Sequence, residues 1–321
     1  MSAALTSKFG RTARTPDKPG PGPVPDALLR TLRPVVRRRV EGIAAGEHAS
    51  TLLGEGMELA HVGPYEPGDD VRRLDPNATA RTGEPHVRQL IAERALTAWI
   101  ALDSSPSMAF GTADRRKADV AEGVVAVLAS LAARGGGRAG LLAFGGRRRT
   151  TIPPRAGRVG AIGLVEAARR DPEDAEVGRT SVGDALRHLA RLARRRGLVV
   201  VVSDFRGPMD WRRPLVALAG RHEVLAVEIR DAREDELPDV GDLLLEDPET
   251  GRQLRVDTGS RRLRERFAAA AAAERAHVAE EISRSGAGHV VLSTRGDWLR
   301  GLALHLGRRT PLRGPLWGGA R

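Results

Sequence analysis

Two segments of this chain end apolar runs in oxygen-bearing side chains. The run from Leu96 to Leu102 delivers Asp103-Ser104-Ser105-Pro106-Ser107, an Asp-x-Ser-x-Ser spacing, and the run Leu198-Val199-Val200-Val201-Val202-Ser203 ends in Asp204. Between them, Thr180 opens a helix-like stretch. Asp103, Ser105, Ser107, Thr180 and Asp204 together offer two carboxylates and three hydroxyls, all at the ends of expected elements. Oxygen-only donors suit a hard divalent cation, magnesium first, with manganese and calcium as alternatives, and do not favour zinc or copper. Magnesium demands near-octahedral geometry at about 2.0–2.1 Å. These side chains supply only part of that shell, which leaves a position that an acidic side chain of a partner can fill. Each piece also has an ordinary structural use. Asp-Ser-Ser is a common turn, Thr180 or Ser181 can cap a helix, and Asp204 can pair with Arg206.

The elements that must position these groups follow from the apolar pattern. Ala95–Leu102, Arg138–Phe144, Leu198–Val202, His222–Ile229 and His289–Ser293 read as strands, with a short edge strand at Arg149–Pro153. Helices are expected over 114–133, 158–169, 181–195, 260–285 and 296–306, and a hairpin around Asp247-Pro248-Glu249-Thr250-Gly251. The continuously apolar Leu198–Val202 is what a strand buried on both faces requires. Alternating strands and helices predict an α/β fold, a mostly parallel central sheet covered on both sides. In such a sheet, ligands gather at the carboxyl ends of strands where the winding direction reverses. Asp103 and Asp204 reach one rim if their strands are neighbours.

Four regions are expected: a disordered leader over 1–25, where five prolines crowd into 16–25; a smaller irregular module over 26–94; the sheet domain over 95–306; and a loose tail over 307–321. The first of these modules opens with an amphipathic helix from Asp26 to Ala45, and its turn-rich part over 50–90 holds one or two short strands.

The 321 residues contain no cysteine, which removes disulfides, zinc–thiolate sites and thiol nucleophiles. No apolar stretch reaches the roughly 20 residues of a membrane helix, and the N-terminus lacks a signal-peptide core, so the cytoplasm is the expected location. The formal net charge of +11 comes from 52 Lys+Arg against 41 Asp+Glu. The basic residues are scattered in short runs and aromatics make up only 3%, which argues against nucleic acid as the partner and for solvated helix faces or an acidic protein surface.

On these residues, 95–300 resembles a von Willebrand factor A domain. Asp103-Ser104-Ser105-Pro106-Ser107 is similar to the start of its metal-ion-dependent adhesion site, Thr180 to the family threonine, and Asp204 to the later aspartate. The resemblance implies that the serines and threonine ligate the cation while the aspartates often act through water. Upstream, Gly56-Met57-Glu58-Leu59, the stretch Pro64 to Asp75 and the stretch Ala78 to Gln89 resemble the family known as domain of unknown function 58, with Pro76 where members usually carry tryptophan. That second resemblance implies a MoxR-type AAA+ ATPase as partner, an unknown protein client, and a cation-dependent adaptor role in chaperone-like assembly.

Within the upstream stretch, Tyr65, Asp69, Asp70, Arg72 and Arg73 are candidate partner-binding residues, and a salt-bridged collar on the sheet domain is the structural alternative. A metal-assisted phosphohydrolase and an arginine-driven nucleic-acid binder are the competing functions. Against the enzyme, no histidine, lysine or carboxylate shows acid/base spacing to the site, and there is no Gly-x-x-x-x-Gly-Lys-Ser/Thr loop for ATP.

Overall fold

The computed structural model describes residues 4–7, 20–32, 57–66, 71–92, 97–134, 136–146, 149–169 and 181–307. The chain divides into two compact units, residues 45–95 and the remainder, 1–44 with 96–321.

The smaller unit is built on β2 (Met57–Pro64) and β3 (His86–Ala92), which pair antiparallel with an irregularity between Leu59 and His61. The helix α2 (Pro76–Thr82) lies between them in sequence. Asp75 caps it, its Oδ1 accepting from the backbone N–H of Asn77 at 2.9 Å and of Ala78 at 3.0 Å. Pro76 occupies the first turn, where a residue without an N–H costs nothing and its fixed φ suits the helix. That is the physical reason proline is tolerated at this position.

The larger unit carries a six-stranded sheet in the order β11-β8-β7-β4-β5-β6. Its strands are β4 (Thr97–Asp103), β5 (Arg138–Phe144), β6 (Thr150–Ala156), β7 (Leu198–Ser203), β8 (Glu223–Arg230) and β11 (Gly288–Ser293). All neighbours are parallel except β6, which runs antiparallel to β5 at the edge and there accommodates Pro153 and Pro154. Period-2 alternation divides the strands between two cores. Ala98, Ile100, Leu102, Val200 and Val202 face a cluster with α3 (Lys117–Arg134), α4 (Gly157–Ala168) and α8 (Trp298–Gly307). Trp99, Ala101, Val199 and Val201 face a second cluster with α5 (Val182–Leu192), α6 (Arg212–Ala219) and α7 (Arg261–Arg284). This is the doubly wound α/β sheet expected from the sequence.

Two expectations need correction. Ala4–Ser7 forms β1, which pairs antiparallel with β9 (Asp242–Glu246) from Ala4 opposite Glu246 to Ser7 opposite Leu243, so the leader is not without structure throughout. Helical residues 26–32, α1, belong with the sheet unit rather than with the small module. The reason is apolar burial: Leu29 and Leu32 join the first core, each 4% exposed. The helix α6 was not foreseen. The expected hairpin is present as β9 and β10 (Gln253–Asp257). The remainder of the helix expected to Ala45 and the tail from 308 lie outside the described residues.

Candidate metal centre

The rim of the sheet where β4 and β7 lie side by side is the point at which strand order reverses, since β5 follows β4 on one flank and β7 to β8 extend the other. The register sets Leu102 opposite Val202, so Asp103 and Ser203 end adjacent strands together. Ser203 Oγ donates to Asp103 Oδ2 at 2.6 Å, and the backbone N–H of Ser105 donates to Asp103 Oδ1 at 3.0 Å. Beyond Asp103 the chain enters a 3-10 turn, Pro106–Ala109, with Ser105 as its N-cap. That turn brings the Ser105 and Ser107 hydroxyls to 3.0 Å from each other, both residues buried. Gly145, at φ +84°, packs beneath, where a Cβ would lie 2.8 Å from the Ser105 nitrogen and 3.0 Å from Asp103 Oδ1. Only glycine gives both that backbone and that approach.

Asp204 sits one residue beyond β7 and is 1% exposed. Its Oδ1 accepts from the Arg206 backbone N–H at 3.0 Å, and its Oδ2 accepts from Lys117 Nζ at 2.6 Å. Lys117 opens α3, is fully buried, and also donates to Glu234 Oε1 at 2.7 Å. Arg275, from the middle of α7, donates to the Asp204 carbonyl at 3.1 Å and to Glu228 Oε1 at 2.9 Å. The Arg206 guanidinium lies 3.4 Å from Glu234, and its charge also favours the Asp204 carboxylate. Burial disfavours the Asp204 carboxylate, but Lys117 and the Arg206 N–H outweigh it and hold the group below the ordinary carboxylate range. Asp103 behaves oppositely. Burial, reinforced by the charge of Asp204, pushes it up to about 7 against the hydroxyl and N–H bonds it accepts. A buried carboxylate held by neutral donors is a group that gains from a nearby cation.

Lys117 and Glu234 were missed in the sequence. Sequence spacing offers no lysine or carboxylate with acid/base spacing to the site, and the structure places Lys117 Nζ 2.6 Å from Asp204 as an ion-pair partner. Lys117 follows Arg115-Arg116 and reads as part of a solvated basic run. Its one distinguishing mark is type, since Lys8, Lys18 and Lys117 are the only lysines in an arginine-dominated chain.

The donor chemistry fits a hard cation. Two oxygens at about 2.0–2.1 Å on adjacent octahedral positions are separated by roughly 2.9 Å. The 3.0 Å between Ser105 Oγ and Ser107 Oγ is close to that edge. Asp103, Ser105, Ser107 and Asp204 are therefore brought to one rim, and Thr180 lies outside the described residues.

Of the candidate partner-binding residues, Asp69 and Asp70 also lie outside them, as does the Arg73 side chain. Tyr65 is half-buried, its backbone N–H donating to the Pro85 carbonyl at 2.8 Å, and Arg72 is exposed on the 3-10 turn Val71–Arg73. Asp75 of this stretch caps α2. No described helix is long and apolar enough to cross a membrane.

The family model and a curated relative show the family. The family described as "Protein of unknown function DUF58" matches residues 61–277. The uncharacterized protein Rv1480 of Mycobacterium tuberculosis is 44% identical over 275 residues, covering 85% of this chain and 86% of that protein. The uncharacterized protein MAV169 of Mycobacterium avium is 46% identical over 153 residues, 47% of this chain and 88% of that one. Among solved structures, the conserved hypothetical protein BatB from Bacteroides thetaiotaomicron aligns over 66% of this chain and 97% of its own at 16% identity, with a TM-score of 0.45. The VWA domain of SpRpn10 aligns over 65% and 94% at 14% identity, with a TM-score of 0.34.

Proposed function

Because this chain belongs to the DUF58 family and carries a von Willebrand factor A-like sheet, we propose that it is a cation-dependent protein-interaction module, an adaptor between a MoxR-type AAA+ ATPase and a protein client. The observation that carries this reading is the convergence of Asp103, Ser105, Ser107 and Asp204 at the strand-reversal rim, with two hydroxyls spaced as an octahedral edge. Asp103, Ser105 and Ser107 would hold magnesium. Asp204, tied to Lys117, would act on it through water and leave it electrophilic. The bound cation supplies a Lewis-acidic position that takes a carboxylate from a partner. The chain's own residues orient that position: Ser203 fixes Asp103, and the 3-10 turn fixes the two hydroxyls.

The test is thermal unfolding of the intact protein against magnesium. At a hundredfold excess over Kd, a ligand of the folded state adds about 2.7 kcal/mol. The wild type should gain melting temperature and Asp103→Ala should not. A wild type unmoved by millimolar magnesium refutes the site. The adaptor role is tested by co-elution with a purified MoxR-type ATPase, with magnesium and with chelator.

A further inference from the structure

The hairpin between β9 and β10 ends at the same rim. Glu249, at its tip, accepts a hydrogen bond through Oε1 from the Ser107 backbone N–H at 3.1 Å, across 142 residues of sequence. This is the residue whose hydroxyl stands 3.0 Å from Ser105 Oγ. The tip is a folded turn rather than a loose end. Asp247 Oδ1 accepts from the Glu249 N–H at 3.0 Å, Asp247 Oδ2 accepts from the Thr250 hydroxyl at 2.8 Å, and the Gly251 N–H returns to the Asp247 carbonyl at 2.7 Å. Below it, β9 is paired on both sides, and Leu243 and Leu245 are buried with Leu237 in a small core of their own. The hairpin therefore delivers one carboxylate, half-buried, to the hydroxyl side of the cluster.

We propose that Glu249 is this chain's own acidic ligand for the cation, so that the β9–β10 hairpin occupies the position an acidic side chain of a partner must take. The inference rests on the cation-site reading above and adds to it a self-ligand. Three features favour ligation over a casual contact. The turn holds Glu249 by its own backbone, the carboxylate meets the backbone of a would-be ligating residue, and a hard cation prefers a charged oxygen to a neutral one. Partner binding then becomes an exchange of carboxylates. An incoming acidic side chain displaces Glu249, and the hairpin swings away from the 3-10 turn.

The experiment titrates the full-length protein with manganese, following bound metal by electron paramagnetic resonance and its hydration by water-proton relaxation. Glu249→Gln should raise the manganese Kd by roughly tenfold, the scale at which ligand charge and immediate supports set affinity. Relaxation per bound ion should also rise, because water takes the vacated position. Glu246→Gln removes the same charge from the same hairpin, where Glu246 meets only Gln253 among its described partners at 2.9 Å. It should match the wild type in both readouts. If Glu249→Gln matches the wild type while Asp103→Ala abolishes binding, the self-ligand is wrong and the cation site stands. Weaker binding with unchanged hydration also overturns it, since charge alone would then explain the loss. If the wild type itself takes up no manganese, the underlying site reading has failed first.

Discussion

Replacing Lys117 by methionine tests the electrostatic frame of the site most directly. The ammonium is fully buried between Asp204 Oδ2 at 2.6 Å and Glu234 Oε1 at 2.7 Å. Burial alone would lower its pKa, but the two carboxylates outweigh that and raise it, so it is a permanent cation near neutrality. Methionine keeps the length and apolar stem and deletes the charge. Two carboxylates, on residues only 1% and 4% exposed, then lose their shared ammonium, while Arg206 at 3.4 Å and Arg275 at 3.5 Å remain on Glu234. Breaking a buried pair from one side costs about 3–5 kcal/mol, because the orphaned charge stays buried. For a domain of this size that is a fall in Tm of roughly 6–20 °C. Thermal unfolding at pH 8 in chelator measures it. The double variant Lys117→Met with Glu234→Gln should recover part of the loss, and the double-mutant cycle gives the coupling. Magnesium should restore more to Lys117→Met than it adds to the wild type, since a cation near Asp204 replaces the missing charge. A Lys117→Met protein within about 1 kcal/mol of the wild type would refute the claim that Lys117 is the main counter-charge of this buried pair of carboxylates.

Two further outcomes are expected. Burial works to raise the Asp231 carboxyl, but the bonds from the Thr112 hydroxyl at 2.6 Å, the Thr112 N–H at 2.8 Å, Thr294 at 2.6 Å and the Arg233 N–H at 2.9 Å hold it low. A depressed carboxylate stabilises the fold above its unfolded value of about 3.9 and loses that contribution as pH falls through the folded value. Asp231→Asn should therefore be most destabilising at pH 7 and approach the wild type in acid. Urea unfolding across pH checks it, and a difference that does not shrink with acid contradicts it. Gly123, inside α3, lies where a Cβ would strike the Trp298 ring, and Trp298 is itself pinned by its indole N–H to the Pro21 carbonyl at 3.0 Å. Gly123→Ala should cost about 1–3 kcal/mol by overpacking despite the better helix propensity of alanine, and a gain in Tm would show that Trp298 yields freely.

The sheet was legible because apolar runs with β-branched residues admit few other uses. Leu198 to Val202 could only be a strand covered on both faces, and it is buried at every position. The short helix α6 was not legible. Arg212-Arg213-Pro214 reads as a turn, and only Leu215 and Leu218 are buried, too few positions to show a period. Asp103, Ser105 and Asp204 were readable from their place at strand ends. Lys117, Glu234 and Glu249 were not, because each reaches the rim across a separation that local spacing does not encode. The misplaced residues 26–32 show the same limit, since two buried leucines decide which unit they join.

The cation proposed for this rim would meet an uneven arrangement of charge. Asp204 is paired with Lys117, which it shares with Glu234, while Asp103 is held by a hydroxyl and an N–H, neither of which carries charge. Ser105 and Ser107 contribute oxygens without charge. A divalent ion here would thus meet one uncompensated carboxylate from the sheet, keep net positive charge, and draw in a second carboxylate from elsewhere. Had Asp204 been free of Lys117, two sheet carboxylates would have satisfied the ion and left it a structural bolt. By pairing Asp204 with a buried lysine, the fold would leave such an ion with an affinity for acidic groups, and Glu249 already accepts from the Ser107 backbone at this rim.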